Sequence, residues 1–519
     1  MTDPSPAEVE LEAAWARWRR PTVVVVVALL VAGVVLRFVT TSPLWLDEAL
    51  SVNIARLPLG GITEALRHDG HPPLYYVLLH AWMSVFGEGD AAVRALSGVF
   101  GLALLPLLWV AGRRLAGARG GWYALGVAAV LPYALRYSTE TRMYALVMVL
   151  VLAGWLLLDD LLRRPSGWRA AGLAAVTAAL LWTHYWALWL GVVTGGALVV
   201  RLILARRRGD AEAGRRSLVA IGALAMGGLA FLPWLPILAY QGQHTGTPWA
   251  RPVRPTEMLT FTVADLGGGA WAESIILGWL VMLAAFIGLT GRARGGWSVE
   301  LDLRTRRVAR PLGLAIVGTL AIAAVVGYAT GATYAGRYAA VFVPFLVLLA
   351  ALGLARLDPR AALIGLLVLG GLGLIGAYRN VTVARTDAQR SADAIEARGA
   401  EGDVVLTCPD QLGPSTARVL DDRFDVVTYP GLAEPELVDW VDYTDRLDAA
   451  DPADVAGRVL ERAGDRQVFL VYSTSYDTHE DICPALFNAL GAARSPEVLT
   501  QTSEAFEPSG VAVFLATTG

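Results

Sequence analysis

Two adjacent carboxylates, Asp47 and Glu48 in Trp45-Leu46-Asp47-Glu48, follow directly on the first long apolar run, Pro21 to Thr41. Ionised side chains are costly in hydrocarbon, so acids at the end of such a run belong in the interface or in a water-filled cavity. There one carboxylate can act as a general base with the other as its electrostatic neighbour; the plainer reading is an exposed loop pair. Arg142, in Arg136-Tyr137-Ser138-Thr139-Glu140-Thr141-Arg142-Met143-Tyr144, and Arg337, in Gly336-Arg337-Tyr338, carry guanidinium forks suited to a phosphate. The alternatives are snorkelling to headgroups or an ion pair with Glu140. His71 before Pro72-Pro73, and His184 with Tyr185 at a turn between two apolar runs, are each compatible with a structural role. Asp47, Glu48, His71 and Glu140 offer metal-ligand chemistry, but no close His-His spacing supports a metal, and no cofactor is expected.

The elements that must position these residues are membrane spans. A chain of 519 residues that is 55% hydrophobic and 17% charged, with mean hydropathy +0.50, is too apolar for a soluble protein of that size. All 43 basic residues are Arg, which reads as coding bias and weakens any single Arg as a sign of phosphate binding. The first run, behind Arg17, Arg19 and Arg20, lacks a small-residue cleavage site and reads as a retained span. His71 to Phe86 begins its helix at Pro72-Pro73, and about 14 residues at ~1.5 Å each are too short to cross a ~30 Å core. It is expected to lie along the outer interface. Further spans are expected at 91–112, 122–137, 142–160, 170–184, 186–204, 217–240, 273–290, 311–330, 338–356 and 361–379, eleven with the first. This choice puts the Arg-rich loops in the cytoplasm, whereas a crossing at His71–Phe86 would put them all outside. Arg142 and Arg337 then stand against the charge trend on the outer face, together with Asp47, Glu48, His71, Glu140, His184 and Tyr185.

Residues 1–379 hold 33 Arg against 21 acids, and residues 380–519 hold 10 Arg against 25. The reversal marks a domain boundary. Runs at 403–407, 424–428, 468–472 and 511–515 alternate with helical stretches around 386–399, 448–464 and 480–492, which predicts a small α/β domain with a largely parallel sheet. Odd span parity places it outside. There Cys408 and Cys483 pair as a disulfide or remain two buried thiols. The expected architecture is a polytopic α-helical membrane protein, with outer-face juxtamembrane helices and a C-terminal soluble α/β domain. It divides into a cytoplasmic segment 1–20, a membrane domain 21–380 that includes the outer loop 42–90, and the extracytoplasmic domain 381–519.

The ordered set Trp45-Leu46-Asp47-Glu48, His71-Pro72-Pro73-Leu74-Tyr75-Tyr76, Tyr137-Ser138-x-Glu140-x-Arg142-Met143-Tyr144, Thr183-His184-Tyr185 and Arg337-Tyr338 with Pro344 resembles the C-type (GT-C) membrane glycosyltransferases. The nearest groups are bacterial relatives of the protein O-mannosyltransferases and of the lipid A aminoarabinose transferase. The resemblance covers about residues 20–380; residues 380–519 resemble no family. It implies a polyprenyl-phosphate sugar as donor, an acceptor hydroxyl on a glycan, lipid or protein, and an inverting transfer on the extracytoplasmic side. It also implies Asp47 as general base, Glu48 as its partner or acceptor-positioning group, and Arg142 and Arg337 on the departing phosphate. His71 borders the donor, where some relatives carry Lys. Tyr137, Tyr144 and Tyr185 either face the sugar or form an interfacial aromatic belt.

No Walker loop, dinucleotide glycine fingerprint, nucleophile-elbow serine or basic nucleic-acid face is present. The competing reading is a transporter or flippase of a lipid-linked substrate, which favours internal repeats and midplane acids. A third is a membrane scaffold presenting the C-terminal domain.

Overall fold

The computed structural model describes residues 6–245, 253–294, 297–331, 333–474 and 480–516. The chain forms two compact units: residues 1–40, 94–234 and 253–381 make the first, and residues 41–93, 235–252 and 382–519 the second. The segment 42–90, expected to belong with the membrane domain, therefore groups with the C-terminal residues. The reason is direct bonding across the sequence: Asn53 Nδ2 donates to Glu436 O at 2.8 Å, and Arg418 Nε donates to Asp90 Oδ1 at 2.9 Å.

The first unit is a polytopic helical membrane body. Eight helices among the described residues are long and apolar enough to cross a bilayer. One of them, Asp90–Ala129, is broken by non-helical geometry at Ala116 and Gly117, so it supplies two of the expected spans. The runs expected at 170–184 and 338–356 become the shorter apolar helices Gly167–Leu181 and Val343–Leu354. All twelve residues of the latter are buried. It is enclosed by its neighbours, and a Cβ at Gly353 would fall 1.9 Å from Ala284 O on the Ala272–Thr290 helix.

Two departures from the expected spans shape the site. The run 122–137 does not continue as one helix, because the chain stops at Ala129 and restarts as Pro132–Ser138 with proline in its first turn. The end at Ala129 is capped by a buried arginine: Arg37 Nη1 donates to Ala129 O at 2.9 Å and Arg37 Nη2 to Ala128 O at 2.9 Å. A cation there answers the open carbonyls and the negative end of the helix dipole. The run 338–356 likewise starts as a 3-10 turn, Gly336–Val341, before its helix.

Two short strands, β1 (Gly291–Ala293) and β2 (Val299–Leu301), pair antiparallel within an Arg-rich connection. The second unit holds a five-stranded sheet of β3 (Val404–Cys408), β4 (Asp425–Thr428), β5 (Val468–Tyr472), β6 (Pro496–Thr500) and β7 (Gly510–Phe514), in the order β4-β3-β5-β7-β6. Its first three strands are parallel, and β7 and β6 are antiparallel. The sheet is thus mixed, not largely parallel, because β6 and β7 pair directly at one edge. The interior strand β3 is buried throughout, as its unbroken Val-Val-Leu-Thr-Cys run demands of a strand covered on both faces. Helices Pro452–Ala463 and Ile482–Ala493 pack on one face, and Ala388–Glu396 on the other. Cys408 at the end of β3 is disulfide-bonded to Cys483. Leu74–Phe86 is a thirteen-residue helix, as the Pro72-Pro73 start predicted.

Candidate active site

The candidate residues fall in both units. In the second unit, Asp47 and Glu48 occupy the first turn of the Leu46–Arg56 helix, where the dipole favours negative charge. Asp47 is partly exposed, and its carbonyl accepts from Ser51 Oγ at 2.7 Å. Glu48 is fully buried and forms an ion pair with Arg385 at 3.5 Å, the arginine being 2% exposed. Its carboxylate therefore faces a buried guanidinium beside Asp47. His71 Nδ1 lies 2.9 Å from Asp69 Oδ2, which also accepts from Tyr76 Oη at 3.0 Å. The histidine is thus fixed through its neighbouring carboxylate.

In the first unit, the break at Pro132 turns Tyr133 and Tyr137 into a chain of rings. Tyr133 and Tyr137 are 4.6 Å apart between centroids, Tyr137 and Tyr144 4.9 Å, Tyr144 and His184 5.7 Å, and His184 and Tyr338 5.6 Å. Arg337 closes the chain, with its guanidinium carbon 5.8 Å from the Tyr338 ring centre. Tyr133 Oη donates to Arg337 O at 2.9 Å, fixing the 336–338 turn from the other end. Tyr137, Tyr144, His184 and Arg337, distant in sequence, are therefore brought together. Tyr137 and Tyr144 are buried, which corrects the reading of either as part of an interfacial belt. Trp234 Nε1 donates to the Tyr185 hydroxyl at 2.8 Å, and Trp186 N donates to His184 Nδ1 at 3.1 Å. The latter bond leaves the proton of a neutral His184 on Nε2.

Arg142 is 2% exposed; its backbone carbonyl accepts from Ser97 Oγ at 3.2 Å, and its N–H donates to Glu140 O at 2.7 Å. Glu140 is 1% exposed at its side chain and accepts from Arg136 Nε at 2.7 Å. Glu140 is thus paired with Arg136, one helical turn back.

The sequence reading missed Asp265, on the Pro255–Gly267 helix. Its carboxylate accepts from Tyr137 Oη at 3.4 Å. Burial pushes its pKa up to about 6, against the pull of Arg136 and Arg337. It also lies against the turn that carries Arg337: a Cβ at Gly336 would sit 2.0 Å from Asp265 Oδ2. A lone acid in the apolar stretch Phe261-Thr262-Val263-Ala264-Asp265-Leu266 was the available signal. Among the described residues, no group of three His, Cys, Asp or Glu side chains is placed to hold a metal ion.

The first unit also contains an apolar cavity of about 1050 Å³, lined by residues such as Val151, Trp155, Leu158 and Leu190, with Arg201 and Arg310 among the few polar groups. It can take up hydrocarbon. The ring cluster can orient an uncharged ring, and Arg337 at its end offers a guanidinium for an anion.

The architecture is the GT-C fold of polytopic membrane glycosyltransferases. The crystal structure of ArnT from Cupriavidus metallidurans in the apo state superposes with a TM-score of 0.59 at 12% identity, over 96% of this chain and 98% of that one. The structure of the same protein bound to undecaprenyl phosphate gives a TM-score of 0.55 at 13% identity, over the same shares. No family model matches the chain, and no curated protein matches it by sequence. ArnT is a lipid A aminoarabinose transferase; the likeness to it is one of fold.

Proposed function

We propose that this protein is an integral membrane glycosyltransferase that moves a sugar from a polyprenyl-phosphate carrier to an acceptor hydroxyl at the extracytoplasmic face, with inversion. The observation that carries the reading is the ArnT-like fold over 96% of the chain in a molecule that gathers Tyr137, Tyr144, His184 and Arg337 around one cluster. The undecaprenyl phosphate bound in the ArnT structure supports a lipid-phosphate donor here, and the apolar cavity of the first unit suits the lipid tail. The distribution of Arg between loops supports a cytoplasmic N-terminus and an extracytoplasmic C-terminal segment.

In this reading Asp47 takes the proton of the acceptor hydroxyl as the oxygen attacks the anomeric carbon and the sugar–phosphate bond breaks. Arg337 and Arg142 stabilise the charge left on the lipid phosphate through charge-assisted hydrogen bonds. Tyr137, Tyr144 and His184 border the sugar, and Asp265 holds the Arg337 turn. His71, tied to Asp69, lends its ring to the donor side. The reading needs no resident cofactor. Binding of undecaprenyl phosphate to purified protein tests it: Arg337→Ala is expected to weaken binding about 10- to 100-fold, the order of one lost charge-assisted contact. Unchanged affinity removes Arg337 from the phosphate site.

A further inference from the structure

The C-terminal segment has no role in the reaction just described, yet it is bonded to the residues on either side of Asp47. Trp45 and Leu46 are 5% and 6% exposed, and both belong to the apolar core formed by Val404, Leu406, Val459 and Leu486 of the α/β domain. The Trp45 ring meets Phe506 edge-on, with centroids 4.9 Å apart. Leu46 N donates to Glu507 Oε1 at 3.0 Å, so the first open N–H of the Leu46–Arg56 helix is satisfied by a side chain from the far end of the chain. Arg385 binds the same turn from a second direction, its side chain pairing with Glu48, and its backbone N–H donates to Ser42 Oγ at 2.8 Å in the segment that leads into the helix. The two clamps are joined, since Glu507 N donates to Arg385 O at 2.8 Å and Asp387 N to Glu507 O at 3.1 Å.

We propose that the C-terminal α/β domain is the positioning element for Asp47, with Arg385 and Glu507 as positioning residues that fix the first turn of the Leu46–Arg56 helix. The proposal rests on the reading of Asp47 as general base. It gives residues 382–519 a part in the reaction. A base works only within hydrogen-bond reach of its proton, so a turn held at both its backbone and its neighbouring carboxylate keeps Asp47 in one orientation. Neither Arg385 nor Glu507 touches substrate in this account. Both are nearly fully buried, at 2% and 3% exposure, and act through the turn.

The test uses the full chain and follows release of free polyprenyl phosphate from a polyprenyl-phosphate sugar, together with amide exchange. Glu507→Ala is expected to lower kcat at least tenfold with donor KM within twofold. It should also speed exchange at residues 46–50 at least tenfold while β3 and β5 exchange as before. Glu507→Gln keeps an acceptor for Leu46 N–H and should stay within threefold of wild type; Arg385→Lys should likewise recover most of what Arg385→Met loses. Wild-type kcat and wild-type exchange at 46–50 in Glu507→Ala overturn the proposal. If Glu507→Ala does not fold, Ser42→Ala carries the same test, with a three- to fivefold fall in kcat and faster exchange expected and wild-type values overturning it. Asp47→Asn, run in parallel, separates the two ideas. Full turnover in Asp47→Asn removes the base itself, whereas an inactive Asp47→Asn beside an unaffected Glu507→Ala removes only the positioning role.

Discussion

In the helical unit, Arg337 is held among rings, with Tyr338 beside its guanidinium and Tyr133 bonded to its backbone; in the α/β unit, Glu48 is held by a buried ion pair and Asp47 stands on a turn anchored by distant residues. The contrast follows from the surroundings. A body of apolar helices has few polar groups to offer, so aromatic side chains, each with a large apolar surface and at most one polar handle, do the positioning. A sheet domain with a closed core can anchor a neighbouring helix start through side-chain packing and backbone hydrogen bonds. Cations on aromatic supports and carboxylates on a sheet-anchored turn are two separate ways to preorganise charge.

The largest expected effect concerns the α/β unit. Cys408 and Cys483 are 75 residues apart in sequence, and replacing both with Ser should cost about 2–5 kcal/mol. Differential scanning calorimetry should show the α/β transition moving down with the helical transition in place; a joint shift would break the comparison by showing the units to be one cooperative body. A second test uses pH. Burial raises the Glu507 pKa to about 8, outweighing the hydroxyls of Thr386 and Ser415 and the Leu46 N–H, with Asp47 adding to the rise. Because the folded pKa lies above the ordinary value of 4.5, the stabilising contribution of Glu507 is complete below pH 4.5 and is lost as pH rises to about 8. Glu507→Gln should abolish that dependence, narrowing the difference in melting temperature between pH 5 and pH 8 by roughly 5 °C; an unchanged pH dependence would show that Glu507 ionises at its ordinary pKa.

The smallest effect sharpens the helical side. Gly336→Ala drives a methyl group against Asp265 Oδ2, and overpacking of this kind costs about 1–3 kcal/mol. Undecaprenyl phosphate titration should show weaker binding, and the α/β transition should stay in place. Equal binding would mean that the 336–338 turn can shift without consequence for the donor.

Much of this was legible locally. Continuous apolar runs marked the spans, and Val404–Cys408 and Val468–Tyr472 announced buried strands by composition alone. Asp47, Arg142 and Arg337 drew notice because charge is expensive near a membrane. The strand β6 escaped because Pro496-Glu497-Val498-Leu499-Thr500 is largely exposed at the sheet edge and lacks the apolar run of its neighbours. Arg385 and Glu507 escaped for a different reason. The bond from Leu46 to Glu507 spans 461 residues of sequence, and no local pattern records which distant carboxylate will meet a helix start. The same holds for residues 42–90, whose composition suits a membrane loop but which bond to residues after 382. Pro132 was visible, yet the short helix that sets Tyr133 edge-on to Tyr137, and the bonds from Arg37 to the carbonyls that end the helix before it, across more than 90 residues, were not.

The central claim is that Asp47 removes the acceptor proton during sugar transfer, and turnover by Asp47→Asn measures it most directly. Wild-type protein is first screened against polyprenyl-phosphate hexoses and pentoses by release of free polyprenyl phosphate, and the variant is then assayed with the donor that turns over. The account predicts a fall in kcat of about 10²- to 10⁴-fold, with undecaprenyl phosphate affinity and melting temperature close to wild type. Turnover by Asp47→Asn at the wild-type rate would contradict it.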